Sequence, residues 1–423
     1  MKKNRITIIG GGIAGISAAI HLIEKGYKVS IIEAKNFIGG RAGSIKSEET
    51  FIDIGQHIFL SSYQNFLHII KTLNLEKKFI FNKVLNIPVS TDKKTYYIKS
   101  NIIKYPFSIL LGVINYKNLN LINRFKLIYG LAKLKLAKTS KNDSSFLQWL
   151  KTNKQNDQII DRFWKIICTP AFNINIDKIS YNSAINLFNY MIFNPKKTFF
   201  ICYAKESFQS IFMDSFSKYL KENNSNIHLG IKIESIENKK NGTIKINSKK
   251  KIQFETENLI LATDFESTNS ILGMESNENL FNRSAIINIY FWFDSIVMYE
   301  DFKVFTDSKL EWVFSDYYNR KNKSTTQRLI ISISDANKLL KHSNEELINL
   351  YEHELRKQFN IDQEVETTKS LVIRSPKATL LTNRKIDNQL KNIFVCGDWT
   401  IEELPNTMEA AALSGKKIIE KYF

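Results

Sequence analysis

One glycine-rich turn near the start of the chain limits its fold more than any other feature. Gly10, Gly12 and Gly15 form this turn. The β-branched run before it, 5–9, is typical of a buried strand, and the apolar residues after it, within 16–25, recur at helical spacing. The order strand, glycine turn, helix predicts the opening of a doubly wound α/β domain.

The same unit has the parts that bind a dinucleotide. Gly12 lets the backbone approach a pyrophosphate, and the start of the helix offers free N–H groups and a partial positive charge. A second strand, 28–32, ends at Glu33, whose carboxylate can accept hydrogen bonds from a ribose hydroxyl. A lone glycine turn also occurs in purely structural βαβ units. Strand, turn, helix, strand and acid in this order favour nucleotide binding.

A second glycine cluster carries a fixed positive charge. Arg41 follows Gly39 and Gly40, and its guanidinium can neutralise a pyrophosphate held by the first turn. The alternative is an ordinary loop. A strand over 51–54 then leads into the polar segment 55–57.

The end of the chain carries a second group of residues that can bind a nucleotide cofactor. A buried strand, 392–396, ends at Gly397 and Asp398, whose carboxylate can bind a polyol chain. The run 406–415 begins a helix with small residues, which can aim N–H groups at a flavin carbonyl. Because one cofactor would need both ends of the chain, FAD is favoured over the shorter NAD.

The composition suits a large globular protein with a basic surface. Hydrophobic residues make up 43% of the 423 residues, and the formal net charge is +18. The excess is mostly lysine, without an arginine-rich stripe or a nucleic-acid-binding motif, so no nucleic-acid partner is expected. Two explanations stay open, a solvated lysine surface and an anionic membrane surface as partner.

The segment 107–138 has two possible interpretations. It combines an apolar run, 107–114, with basic residues interleaved among apolar ones, and we expect a long helical region over 109–138. That composition is typical of a helix in the interface of an anionic bilayer, and also of a helix packed on the core. No apolar run approaches the roughly 18 residues that cross a bilayer.

Cysteine usage and the start of the chain indicate a location. Cys168, Cys202 and Cys396 share no metal or redox spacing, so free thiols in a reducing compartment and no metal site are expected. Residues 1–4 lead directly into the first strand, without a signal peptide. We therefore expect a cytoplasmic protein that can lie peripherally on the inner face of the cell membrane.

Because both ends of the chain point to one cofactor, the domains are expected to be discontinuous. We predict an FAD-binding domain from 1–80, 201–266 and 386–423. A substrate-binding, membrane-facing domain is predicted from 81–200 and 267–385.

The middle of the chain alternates between helix and strand patterns. Helices are expected over most of 144–220, whose many aromatic residues fill a core or line a long apolar pocket. Antiparallel strands are expected over 227–254, with a hairpin turn at Gly242, and a helix over 344–359.

These residues resemble the FAD-dependent amine oxidase and phytoene desaturase superfamily over essentially the whole chain. The matching parts of its flavin frame are the first turn, Glu33, the cluster 39–41, the strand end at Ala262, and Gly397 with Asp398. Within the superfamily, the chain is most similar to the hydroxysqualene dehydroxylases. That likeness is carried by the segment 53–60 with Tyr63, the pair Phe163–Trp164 with Cys168, and the segments 397–400 and 404–409.

The resemblance implies a fold and a set of site residues. The fold is a Rossmann-like FAD-binding domain, glutathione-reductase-like with a βαβ start, interleaved with an α+β substrate domain of mixed sheet and helices. Ile54, Asn406 and Ala410 stand where the family usually has Asn, Ala and Gly, but none of these departures removes a charge from the flavin frame. The residues expected to bind FAD are Gly10, Gly12, Ile13, Ala14, Gly15, Glu33, Ala34, Gly40, Arg41, Gly55, Gln56, His57, Ile233, Ala262, Gly397, Asp398, Thr407 and Met408.

The resemblance also implies an activity, the reduction of hydroxysqualene to squalene in squalene or hopanoid-type isoprenoid biosynthesis, with FAD as hydride carrier. The partner is then a long apolar isoprenoid. An external electron donor is needed, which the sequence does not identify. His57 is the candidate proton donor, and a purely structural histidine is the alternative. Rival functions are a carotenoid desaturase, an amine oxidase, and a non-catalytic flavin-binding subunit of a membrane lipid-synthesis complex.

Overall fold

A computed structural model describes most of the chain, namely residues 5–47, 50–100, 106–140, 143–193, 200–274, 282–315, 325–381 and 391–423. Two predictions fall outside these ranges. They are the predicted domain boundary between residues 385 and 386 and the lead-in at residues 1–4.

Strands occur along the whole length of the described chain. In order they are β1 (Arg5–Ile9), β2 (Lys28–Ile32), β3 (Ser44–Ser47), β4 (Thr50–Asp53), β5 (Ile58–Leu60), β6 (Phe79–Phe81), β7 (Leu85–Thr91), β8 (Lys94–Ser100), β9 (Ile201–Ala204), β10 (Asn226–His228), β11 (Ile233–Asn238), β12 (Ile244–Ser248), β13 (Gln253–Thr256), β14 (Leu259–Leu261), β15 (Arg283–Phe293), β16 (Phe302–Phe305), β17 (Trp312–Ser315), β18 (Gln327–Ile333), β19 (Thr367–Leu380) and β20 (Ile393–Val395).

Helices lie along the whole described chain, and the largest group of them lies between β8 and β9. In order they are α1 (Ile13–Glu24), α2 (Gln64–Thr72), α3 (Phe107–Ile114), α4 (Leu121–Leu136), α5 (Phe146–Thr152), α6 (Asp157–Ile159), α7 (Lys165–Phe172), α8 (Tyr181–Met191), α9 (Phe208–Glu222), α10 (Phe265–Ile271), α11 (Asn344–Phe359) and α12 (Met408–Tyr422). A π-helical turn, Ile160–Trp164, joins α6 to α7.

The predicted doubly wound domain is built on a five-stranded parallel sheet. Its strand order is β10-β2-β1-β14-β20, and each neighbouring pair is parallel. β1, β2 and β14 are apolar and almost entirely buried, as strands covered on both faces must be. The predicted α/β fold class is confirmed. The carboxyl ends of β1, β2, β14 and β20 meet at one edge, where ligands bind in such sheets.

A second sheet lies outside this domain. It has seven strands in the order β19-β15-β18-β17-β16-β7-β8, antiparallel except for the β16–β7 pair. α11 packs on it through the buried residues Leu347, Tyr351 and Leu355. Its strands come from 85–100 and 283–380, inside the segments predicted for the substrate domain. The domain boundaries themselves stay predictions.

One local prediction is wrong. Residues 227–229 do not join an antiparallel set, because β10 pairs in parallel with β2, Ile227 standing opposite Ile31. The helical region expected over 109–138 is present and consists of two helices, α3 and α4. The reason is Asn120, whose side chain caps α4 by accepting the N–H of Asn123 and so starts a new helix.

Other predictions are confirmed. β11, β12 and β13 form an antiparallel sheet with the expected turn, and α11 has the expected limits. Phe146, Trp164 and Phe188 are fully buried, so aromatic residues of 144–220 do fill a core. The three cysteines are buried free thiols. In the described part of the chain, no helix is long and apolar enough to cross a bilayer.

Candidate functional site

The first glycine turn is held by close backbone packing at two of its glycines. A Cβ on Gly15 would lie 2.0 Å from the carbonyl oxygen of Gly10. Gly10 itself has a φ of 109° and would place a Cβ 2.4 Å from the carbonyl oxygen of Ala262. These contacts seat α1 against the ends of β1 and β14, so the protein's own packing requires both glycines.

Gly12 is different, because the packing of the protein does not require a glycine there. Its φ is −75°, and the nearest atom to a Cβ on Gly12 is the Cα of Gly40 at 3.9 Å. The second glycine cluster closes against the first turn here, with Gly39 N–H donating to the carbonyl of Gly11 at 2.9 Å. We call the backbone surface that Gly12 and Gly40 form at the start of α1 the cradle. A pyrophosphate at the start of α1 would lie on it.

Glu33 is fixed at the end of β2 by backbone N–H groups. Its carboxylate accepts from Gly11 N–H at 2.7 Å and from Lys35 N–H at 2.8 Å, and the side chain is buried. Its own carbonyl accepts from Ile231 N–H at 2.9 Å, which brings the start of β11 and the buried Ile233 to the same place. An acid held here can bind a ribose, as the sequence predicts.

Arg41 connects the two ends of the chain. Its guanidinium forms an ion pair with Asp398, with N and O atoms 2.5 Å apart, and also donates to the carbonyl of Ala378 at 2.9 Å. Asp398 is buried, and its negative charge raises the pKa of Arg41. The two charges predicted from opposite ends of the sequence to serve one cofactor are therefore in contact.

Trp399 connects the end of β20 to the end of its neighbour β14 in the five-stranded sheet. Its indole N–H donates to the carbonyl of Thr263 at 3.0 Å, next to Ala262, and its ring packs edge-to-face on Phe265. A Cβ on Gly397 would lie 2.5 Å from the indole nitrogen. Gly397 is thus a glycine because the indole occupies that position.

α12 crosses α1 closely, which places its start near the site. A Cβ on Gly415 would lie 2.5 Å from the carbonyl oxygen of Ala14, and Ser17 Oγ donates to Ala412 at 2.7 Å. Thr407 caps α12, its side chain accepting the N–H of Ala410, as predicted.

Glu409 is a buried acid beside the site whose structural role the sequence analysis missed. It is fully buried in the first turn of α12 and accepts hydrogen bonds from Asn65 N–H, Asn65 Nδ2, Phe66 N–H and Tyr190 OH. Burial and the charge of Glu409 raise the pKa of Tyr190, which keeps the phenol protonated as a donor. Glu409 therefore joins α12 to the start of α2.

The segment 53–57 is held by β3, by the start of α9 and by β15 of the seven-stranded sheet. The Asp53 carboxyl accepts from Ser44 Oγ at 2.5 Å and from Phe208 N–H at 2.8 Å, and burial raises the pKa of Asp53 to about 6. Tyr290 OH donates to the Asp53 carbonyl at 2.6 Å. A Cβ on Gly55 would lie 2.8 Å from Asn288 Nδ2. The sequence feature that could have indicated this contact is Asn288, an amide in a mostly apolar strand.

His57 is the last residue of this segment and packs against an aromatic ring. Its ring packs edge-to-face on Phe208, with centroids 5.3 Å apart. Its buried Nε2 has no hydrogen-bond partner among the described residues. Burial lowers the pKa of His57 to about 4, so the ring is neutral near pH 7. A neutral imidazole can donate a hydrogen bond through its one N–H, but giving up a proton requires the protonated ring, so the role of His57 as proton donor stays a prediction.

His57→Gln should change how stability depends on pH. Because the fold lowers the pKa of His57 from its ordinary 6.5 to about 4, its neutral form stabilises the protein above pH 6.5. That stability is lost as pH falls from about 6.5 to about 4. Wild type should lose about 2 to 3 kcal/mol more than His57→Gln over this interval. Urea unfolding of both proteins at several pH values tests this. Parallel curves would contradict it.

The predicted FAD residues fall into two sets. Those in or beside the segments that bound the cradle are Gly10, Gly12, Ile13, Ala14, Gly15, Glu33, Ala34, Gly40, Arg41, Ala262, Gly397 and Asp398. The second set lies in neighbouring segments, and its members are Gly55, Gln56, His57, Ile233, Thr407 and Met408. Their contacts with FAD itself stay predictions.

One further polar cluster lies at the other end of α1. His21, Glu24 and His68 each have a ligand-type atom within 4.8 Å of the others, and His68 Nε2 lies 2.8 Å from Glu24 Oε1. The sequence predicts no metal site and did not indicate this group. It joins α1 to α2 and has no contact with the cradle.

Comparison with known proteins adds a family. Residues 13–418 match the sequence profile of the flavin containing amine oxidoreductases. The chain is 22% identical over 458 residues to a 15-cis-phytoene desaturase of Glycine max, covering 98% of this chain and 79% of the relative. A 15-cis-phytoene desaturase of Synechococcus elongatus is 22% identical over 447 residues, covering 97% and 94%.

Solved structures are similar over the whole chain. An oxidoreductase from Methanosarcina mazei superposes with a TM-score of 0.76 at 16% identity, covering 98% of this chain and 100% of that one. A putrescine oxidase bound to putrescine has a TM-score of 0.73 at 12% identity, covering 99% and 98%. At these identities the likeness shows the fold alone.

Proposed function

Because the chain belongs to the flavin containing amine oxidoreductase family and binds FAD, we propose that this oxidoreductase reduces hydroxysqualene to squalene. The observation that carries the proposal is the segment 53–57, which has the Gly-Gln-His sequence of the hydroxysqualene dehydroxylases and is clamped beside the glycine clusters. The fine specificity rests on this segment and on the Gly397–Thr400 motif.

The cradle fits FAD because the packing of the protein alone does not require a glycine at position 12. Gly12 leaves room for a pyrophosphate, Glu33 would bind the ribose, and Arg41 and Asp398 would meet the phosphates and the polyol chain. When bound and reduced, FAD supplies a hydride.

The remaining chemistry belongs to the chain's own residues. Replacing the allylic hydroxyl of hydroxysqualene with hydride breaks a C–O bond, and the hydroxyl leaves as water after accepting one proton. The substrate must be held in place, and water must be kept from the allylic cation. His57 is the proposed donor of that proton in its imidazolium form, which is the minor form near pH 7 because burial lowers the pKa of His57 to about 4.

A neutral, apolar substrate suits the acids near this segment better than an amine does. A protonated amine needs an available carboxylate. Asp53 is already bonded to Ser44 and Phe208, and Asp301 accepts a hydrogen bond from Tyr203. These engaged acids favour an isoprenoid over an amine substrate.

A carotenoid-type desaturase is the second candidate. It is favoured by the two relatives, whose names record phytoene desaturation, at 22% identity across nearly the whole chain. A desaturase would oxidise its substrate and reduce the flavin, which is the opposite direction of electron flow.

The two candidates are separated by anaerobic incubation of purified holoprotein. Flavin reduced with dithionite should be reoxidised by hydroxysqualene with formation of squalene, measured by gas chromatography and mass spectrometry. Oxidised holoprotein should not be reduced by phytoene or putrescine. Flavin reduction by phytoene would support the desaturase instead. Flavin that none of these compounds oxidises or reduces would support the non-catalytic subunit.

His57→Ala should reduce turnover of hydroxysqualene by about 100-fold, the usual size of a proton-transfer contribution. His353→Ala is the matched control, because His353 is exposed on α11, the helix that packs on the seven-stranded sheet. Equal FAD content in both variants is required, by flavin absorbance. Near wild-type turnover of His57→Ala would leave His57 with a structural role only.

A further inference from the structure

α4 has two apolar faces instead of one. Leu127, Leu131 and Leu134 are buried against the core. The opposite face carries Leu121 and Phe125, which are 67% and 71% exposed, together with the exposed side chains Ile122, Tyr129 and Leu136. At about 100° per residue, the exposed set spans roughly 100° of the helix surface, centred opposite the buried set. The core-packing interpretation of the sequence is confirmed for the buried face, and the membrane interpretation concerns the exposed face.

Basic residues border the exposed face along both sides. Lys126 and Lys133 follow one side, and Arg124 lies on the other. Arg124 donates to the carbonyls of Ile114 and Leu119, which ties α4 to the end of α3. This arrangement of an apolar stripe between cations is typical of helices that lie in a membrane interface.

α3 extends the exposed apolar face. Phe107, Leu110 and Ile114 are exposed on a helix that packs beside α4. Together these eight side chains form more than half of the large exposed apolar residues in the described chain. Contiguous exposed apolar surface of this kind marks an interaction site.

A basic groove of about 420 Å³ opens beside this face. Lys126, Lys151 and Lys154 line it with Gln155, Asn156 and Asp157. The groove adjoins Tyr129, over whose ring the Lys154 ammonium lies at 5.9 Å. Asp157, 3.8 Å from Lys151, offsets one of the three lysine charges. The groove therefore keeps an excess of positive charge, which suits a phosphate.

We propose that the exposed faces of α3 and α4, with the three-lysine groove, dock on an anionic phospholipid bilayer. We call this surface the docking face. Its apolar side chains enter the interface, and the groove receives a lipid phosphate. Charge favours this occupant over a second copy of the chain, because a symmetric dimer through this face would bring its lysines together. Docking would also place the enzyme where a long apolar substrate dissolves.

The test is cosedimentation of holoprotein with vesicles, and it needs no substrate, so it is independent of the proposed activity. Wild type should bind vesicles containing phosphatidylglycerol and bind pure phosphatidylcholine vesicles at least tenfold more weakly. K126E/K151E/K154E should weaken binding by about 100-fold or more, since each basic residue near such a surface contributes about fivefold. L121S/F125S should weaken it by at least tenfold, also at low salt.

Matched controls carry the same kinds of change at exposed positions outside the docking face. K240E/K249E/K250E has the same change in net charge at exposed positions and should bind as wild type does. Y299S removes an exposed aromatic residue elsewhere and should also bind normally. Equal binding to neutral and anionic vesicles, unchanged binding by the docking-face variants, or no binding by wild type would overturn the proposal. So would a dimer in light scattering that L121S/F125S converts to monomer.

Discussion

Gly12→Ala should abolish FAD retention and leave the fold intact. In the protein alone, a Cβ at this position meets nothing closer than 3.9 Å, and the backbone conformation suits any residue. The change in stability should therefore stay within about 1 kcal/mol, the cost of alanine at a helix N-cap. In the holoprotein the methyl group would occupy the pyrophosphate position, and FAD affinity should fall by at least about 100-fold, or ~3 kcal/mol.

The measurement is FAD titration followed by flavin fluorescence, together with urea unfolding of the apoprotein. Gly112→Ala is the matched control, because that glycine lies in α3 and its Cβ would meet only side-chain atoms, Leu85 at 3.2 Å and Ile98 at 3.6 Å. Gly15→Ala should instead damage the apoprotein itself, since its Cβ collides with backbone. Normal FAD affinity in Gly12→Ala would mean that the cradle is not the pyrophosphate site.

Glu409→Ala should destabilise the protein by about 3 to 5 kcal/mol. The carboxylate is fully buried and accepts hydrogen bonds from Asn65, Phe66 and Tyr190, so its removal leaves several buried donors without an acceptor. FAD binding should weaken as well, because the start of α12 carries Thr407 and Met408. Chemical denaturation and FAD content measure the two effects.

The control for this prediction lies on the same helix. Glu420→Ala removes an exposed carboxylate 3.6 Å from Lys416 and should change stability by less than about 0.5 kcal/mol. Glu409→Gln keeps one acceptor oxygen and should fall between the two. A stability loss for Glu409→Ala no larger than that for Glu420→Ala would show that the buried network contributes little.

The cofactor frame could be predicted from the sequence because its parts are local. Glycines at fixed offsets, a strand before them and an acid after them each have a physical reason that one segment of chain displays. The contact between Arg41 and Asp398 was also predictable, since both charges pointed to one ligand. The structure shows that packing requires Gly10 and Gly15 and does not require Gly12, whose predicted role at the pyrophosphate stays a prediction.

Features that depend on distant partners escaped the sequence analysis. Glu409 looks like an ordinary acid in the first turn of a helix, and only the fold buries it against α2. β19, a strand from Thr367 to Leu380, was missed because most of its residues are half-buried on both faces and show no alternation. Its pairing with β15 over nearly its whole length stabilises it.

The most direct measurement of the central claim is a single anaerobic turnover. Holoprotein with fully reduced FAD is mixed with less than one equivalent of hydroxysqualene. Flavin absorbance and products are then followed together. The account predicts one squalene formed for each flavin reoxidised, with water as the other product. Unchanged hydroxysqualene beside a flavin that stays reduced would contradict it.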